Sequence, residues 1–252
     1  MTASVENPAR VRVNWKSVVA YYAIACLWSW PFFWRRDILH VPDTPITSIS
    51  KLLIHWGLMW GPGIAAVVCM VAFRGSHCRV ITLAGNLWSR SIFFYAVPFL
   101  LLAAFRAHVL YGYNRPALVA AFPMFVSILG EELGWRGFLQ DALRPLSPVK
   151  RFVLIGALWE FWHFTTRTTH GWSPLRIAVT LFISYSAVIL LSFIIGYATE
   201  RSHSVIVAVS LHMYIDNLLN NLDLYVPLLL ALPIWALLLW TWPKDATVQR
   251  RL

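Results

Sequence analysis

Apolar residues come along this chain in blocks rather than in stripes. Eight blocks stand out, at roughly 15–34, 52–73, 92–110, 116–133, 151–165, 176–199, 203–220 and 223–242. Most are close to the roughly 20 residues that a helix needs to cross a bilayer core. The pattern predicts an all-α fold, a polytopic membrane helical bundle with about eight transmembrane helices. The fifth block is short and the fourth ends in charge. Both are expected to stop inside a protein-lined cavity, the one setting at that depth where irregular backbone is tolerated. Gly61, Pro62 and Gly63 interrupt the second block and predict a bend that makes room for such a cavity.

Composition strengthens this reading. Of the 252 residues, 59% are hydrophobic and 13% charged, where a soluble domain carries about 25% charged residues. With eight spans and the N-terminus inside, 14 of the 21 basic residues fall on inner segments. The positive-inside rule then predicts that both termini are cytoplasmic. The expected organisation is a cytoplasmic tail (1–14), one transmembrane domain (15–242) with its motif core at about 116–220, and a basic cytoplasmic tail (243–252). Compactness and short tails point to a bacterial cytoplasmic membrane.

The net charge of +10 fits that bias and an anionic inner leaflet, so the lipid bilayer is the expected partner. No basic stripe or motif suggests nucleic acid. The first block is not expected to be a cleaved signal, because it runs into "PFFWRRD" with no small-residue cleavage site. Cys26, Cys69 and Cys78 have neither metal-like nor redox spacing. Residues 79–90, "RVITLAGNLWSR", read as an interfacial amphipathic helix.

An ionisable residue inside a span costs about 2.5–3.5 kcal/mol on insertion scales, so each one needs a reason. In "ILGEELGWRGFL", Glu132 and Arg136 are four apart with the acid first, the favourable order for a helical pair. Glu131 points about 100° away and is left to meet something on another span. A polar cluster at a wet helix end is the competing reading. In "ALWEFWHF", Glu160 precedes His163 by three, a metal-ligand spacing in bundles, although one buried histidine is more often a packing residue. In "SLHMYIDNLLNN", His212 and Asp216 share a helix face and Asn217 follows. The acid either orients the imidazole or adds a ligand, or the cluster simply marks a helix end. Together these residues place an acid pair and two histidines on three later spans. A carboxylate that activates water and imidazoles that orient it or bind metal would need that set.

These residues resemble the CPBP family of CAAX proteases and bacteriocin-processing enzymes, also called Abi. "EELGWR" matches its EExxxR motif, "WEFWH" resembles its aromatic-xxx-His motif, and "SLHMYIDN" its third, a histidine with Asn four residues on. "WGP" in the second block is also family-like. The resemblance covers roughly 50–220. It implies an intramembrane endopeptidase acting on a membrane-associated protein or peptide. Glu131 would be the base that activates water, His163 would assist, His212 would stabilise the oxyanion, and Arg136 would hold Glu132. No obligatory cofactor is implied; if zinc is bound, Glu131, His163 and His212 would hold it.

Two positions depart from the family. Asp216 stands where the family has Asn, and Asn217 is one residue late. An ionised Asp cannot donate to an oxyanion as Asn does. Glu160 stands where an apolar residue is expected. The departures keep a second reading open, a non-proteolytic membrane scaffold or immunity protein on the same fold. A third, a transporter or proton relay, lacks the paired broken segments that many transporters show.

Overall fold

The breaks between helices fall where the apolar blocks end. In the computed structural model, residues 12–38, 49–75, 79–105, 108–109, 115–164, 173–220 and 225–243 are described. The helices are α1 (Trp15–Ile38), α2 (Ile49–Met59), α3 (Gly61–Ala72), α4 (Trp88–Ala104), α5 (Ala117–Gly134), α6 (Pro148–Trp162), α7 (Pro174–Ser202), α8 (Val205–Asn220) and α9 (Tyr225–Trp240). α5 runs straight into a π-helical turn, Trp135–Gln140. A two-residue antiparallel pairing of His108–Val109 (β1) with Arg115–Pro116 (β2) precedes α5. Each apolar block contains a helix among the described residues, the second as the bent pair α2–α3, but the third block stops being helical at Ala104 and its end includes β1.

Local chemistry sets several of these boundaries. α6 and α7 each start with Ser followed by Pro, a residue that loses nothing at a first helical turn, where its missing N–H would have no partner. Ser173 Oγ also accepts from the Arg176 N–H at 3.3 Å. α7 ends at His203, whose φ of 55° is left-handed, a common way to stop a helix.

The bend between α2 and α3 is 49°. It lets backbone meet backbone where α3 crosses α5. A Cβ on Gly63 would lie 2.8 Å from the Gly130 carbonyl oxygen, and one on Gly130 would lie 2.7 Å from the Met59 oxygen. Trp60 at the corner donates its indole N–H to the Val126 carbonyl at 2.9 Å. Gly130→Ala is therefore expected to lower stability by roughly 1–3 kcal/mol, because fixed backbone cannot yield to the new methyl. Thermal unfolding in detergent micelles reads the loss.

Residues 79–87 correct the expectation of an interfacial helix there, since helix begins only at Trp88. The segment pairs instead with the α7–α8 junction. The Thr82 N–H donates to the His203 oxygen at 2.9 Å, and the Val205 N–H donates to the Thr82 oxygen at 3.0 Å. Asp141 Oδ2 takes the Val80 and Ile81 N–H groups at 2.8 and 2.9 Å. Partners from two other elements satisfy this backbone, so it has no need of its own helical bonds.

Two arginines fasten the far end of α9. Arg201 donates to the carbonyls of Leu239 and Trp242, and Arg90 donates to that of Thr241 at 2.7 Å. Cations at carbonyls left over at a helix C-terminus are favourable.

α7 is long and apolar enough to cross a bilayer alone, and the pair α2–α3 passes the same test together. Other apolar helices among the described residues are shorter. α7 leaves Leu175, Phe182, Ile183 and Leu190 exposed.

Candidate active site

Trp159 of α6 sits at the centre of the buried polar groups. Its indole N–H donates to Glu131 Oε2 at 2.8 Å. Its ring receives the Arg136 guanidinium, with Cζ 4.4 Å from the ring centroid, a cation–π contact. The His212 ring meets it edge-on, centroids 5.0 Å apart at 76°. Its carbonyl lies 3.1 Å from His163 Nδ1. Glu131, Glu132 and Arg136 are all buried, with exposures of 1%, 0% and 0%.

The adjacent carboxylates have different surroundings. Glu132 Oε1 accepts from Arg136 Nη1 at 3.1 Å and from His212 Nδ1 at 2.7 Å. The helical spacing of four thus closes the Glu132–Arg136 pair. The wider π-helical turn begins just before Arg136, and such turns recur at functional sites. Glu131 has turned to α6 and meets a neutral N–H. The competing reading of the acid pair, a wet helix end, fails because these residues are fully enclosed.

The two histidines stand differently. His212 bridges α8 to α5, and its other nitrogen, Nε2, lies 3.6 Å from Asp216 Oδ2. That separation suits an ion pair and is too long for a hydrogen bond. His163 caps the end of α6 and packs edge-on to Trp162, centroids 4.7 Å apart. A carbonyl only accepts, so Nδ1 of His163 carries a proton and Nε2 is the basic nitrogen of the neutral ring. Glu160 is fully buried on the same helix. The side chain of Asn217 lies outside the described residues.

Among the described residues no three His, Cys, Asp or Glu side chains form a group able to hold a metal ion. The set a zinc ion would need, Glu131, His163 and His212, is not gathered into one.

A model of the Rce1-like family, type II CAAX prenyl endopeptidase Rce1-like, matches residues 113–218. Over this segment the chain is similar to that family. The match spans all three motifs and so supports the resemblance to the CPBP and CAAX proteases. No curated protein matches the chain. The family's description names an endopeptidase. The matched segment contains Trp159, Arg136 and His212, which hydrogen-bond Glu131 or Glu132.

Sequence reasoning missed Trp159 as a participant. It appeared only as the aromatic that opens "WEFWH". The signal was its place four residues before His163, on the face from which an indole N–H reaches a neighbouring helix.

Proposed function

We propose that this chain is a polytopic intramembrane endopeptidase with cytoplasmic termini, cleaving a peptide bond in a membrane-associated protein or peptide through a water activated by Glu131. One observation carries the reading. Glu132 is tied up by Arg136 and His212, whereas Glu131, next to it in sequence, is held at one oxygen by the neutral Trp159 N–H. Its second oxygen, Oε1, is assigned to the water.

In this mechanism Glu131 takes a proton from water while the water oxygen bonds to the scissile carbonyl carbon. The carbonyl π electrons move onto oxygen. Collapse of that oxyanion breaks the C–N bond, and the proton passes from Glu131 to the departing amine, with His163 Nε2 assisting. His212 has its Nδ1–H committed to Glu132, so it donates to the oxyanion from Nε2 only as an imidazolium. Asp216 beside that nitrogen balances the charge. On this view Asp216 need not donate, which removes the difficulty of its replacing Asn. No step runs through a metal. Chelation with EDTA is expected to leave cleavage unchanged, and loss of cleavage restored by added zinc would overturn the metal-free scheme.

The test compares protein termini in membrane fractions of cells carrying the native chain or Glu131→Gln at matched expression. New termini with the native chain only would support proteolysis and identify the substrate. Identical profiles would count against it. With that substrate in hand, Trp159→Phe is expected to slow turnover about 10- to 100-fold, since a hydrogen bond to a charged group contributes about 1.5–3 kcal/mol. An unchanged rate would remove Trp159 from the mechanism.

A second reading rests on Asp216, an acceptor where the family has a donor: a membrane scaffold or immunity protein that binds a partner without cutting it. Its phenotype would survive Glu131→Gln.

A further inference from the structure

The carboxylate pair has a side that the proposed reaction does not use. Glu132 Oε2, Arg136 Nε and Nη2, and the Tyr21 hydroxyl are all buried and find no hydrogen-bond partner among the described residues. The indole nitrogens of Trp135 and Trp162 are in the same condition. Buried polar atoms of this kind are rare, because each one left unmade costs about 1–3 kcal/mol. Six in one neighbourhood require an explanation.

Their placement supplies one. Tyr21, on α1, is fully enclosed, and its oxygen lies 2.6 Å from the point where Gly134 would carry a Cβ. Gly134 is the last residue of α5, two after Glu132 and two before Arg136. The charges of Arg136, Glu132 and Glu131 act on the Tyr21 hydroxyl through space. Its ring meets Trp135 edge-on, centroids 5.7 Å apart, and Trp135 meets Trp162 at 6.0 Å. The unpartnered atoms therefore belong to one region between α1, the π-helical turn and α6.

The mixture of atoms identifies the occupant. Arg136 Nε and Nη2 form a donor fork that on its own would suit a carboxylate. Glu132 Oε2, however, is an acceptor in the same place, and a second anion would be repelled by it. Tyr21 both donates and accepts. Water does both too, and buried waters typically make about three hydrogen bonds to such otherwise unsatisfied groups.

We propose that Tyr21, Glu132 and Arg136 enclose a buried water site, and that Tyr21 is a positioning residue of the proposed protease, contributed by the first helix. The bound water ties α1 to the Glu132–Arg136–His212 array from behind, while Glu131 faces the reacting water. Glu132 and Arg136 belong to the EExxxR motif, whereas Tyr21 precedes the Rce1-like segment by about ninety residues. The role in catalysis rests on the proposed function; the water site does not.

The first test is a crystal structure of the native chain in a lipidic phase, at a resolution that shows ordered solvent. The expected result is a peak within hydrogen-bond distance of the Tyr21 oxygen and of Glu132 Oε2 or Arg136 Nε. Protein groups filling those positions, a bound anion there, or no peak would overturn the proposal. The second is a thermal-unfolding cycle in micelles with Tyr21→Phe, Glu132→Gln and the double variant. Groups sharing a water are coupled, so the double variant should lose several degrees less than the two single losses together. Strict additivity would sink the shared site. Both tests read the water without any substrate, so a chain that cuts nothing could still pass them. If the chain cuts, Tyr21→Phe should lower kcat and leave KM in place; a change in KM alone would count against a positioning role.

Discussion

Glu131→Gln is expected to lower the cleavage rate by about 10²- to 10⁴-fold, the usual contribution of a positioned general base, with thermal unfolding essentially unchanged. The amide keeps an oxygen where the Trp159 indole donates at 2.8 Å, so the contact between α5 and α6 survives. What disappears is the capacity to take a proton from water. The checking measurement is paired: turnover of the substrate found by terminal profiling, and the unfolding midpoint in micelles. Full turnover in the variant would refute the assignment of Glu131 as base. Loss of turnover together with a collapsed midpoint would mean that Glu131 is needed for folding, and the assignment would then have to rest on other variants.

Arg136→Met should have the largest effect on the fold, a loss of about 3–5 kcal/mol. Removing one partner of a buried pair strands the other charge without compensation. Here the stranded group is Glu132, fully enclosed and left with His212 alone. The methionine also loses the guanidinium's contact with the face of Trp159. The double variant Glu132→Gln, Arg136→Met removes both charges and should recover a measurable part of the loss. Chemical unfolding of the three chains decides the matter. Equal losses in the single and double variants would show that the pair is not what stabilises this region.

Much of this was legible from residue spacing. Blocks of apolar residues located each α-helix among the described residues, because burial in a bundle or bilayer requires length more than periodicity. Glu132 and Arg136 could be paired from their interval of four, since that relation lies within one helix. Gly61–Pro62–Gly63 announced the bend. Residues 79–87 do not form the helix that their amphipathic composition predicts, because their conformation is decided by Asp141 and by the α7–α8 junction, both distant in sequence. The same limit hid Trp159 and Tyr21. A single indole or phenol in an aromatic-rich chain carries no local mark of function, and only the fold brings it to a carboxylate. The pairing of His212 with Glu132 across 80 residues is likewise invisible in the sequence, because nothing local to either residue names a partner on another helix.

The glycine crossing of α3 with α5 also bears on biosynthesis. Trp60 leaves the ribosome 66 residues before the carbonyl that accepts its indole N–H. At about 5–20 residues per second that is roughly 3–13 s. Throughout that interval the Gly-Pro-Gly corner has no α5 to lean on. The first three helices therefore form a provisional assembly, completed only when the segment carrying the acid pair arrives.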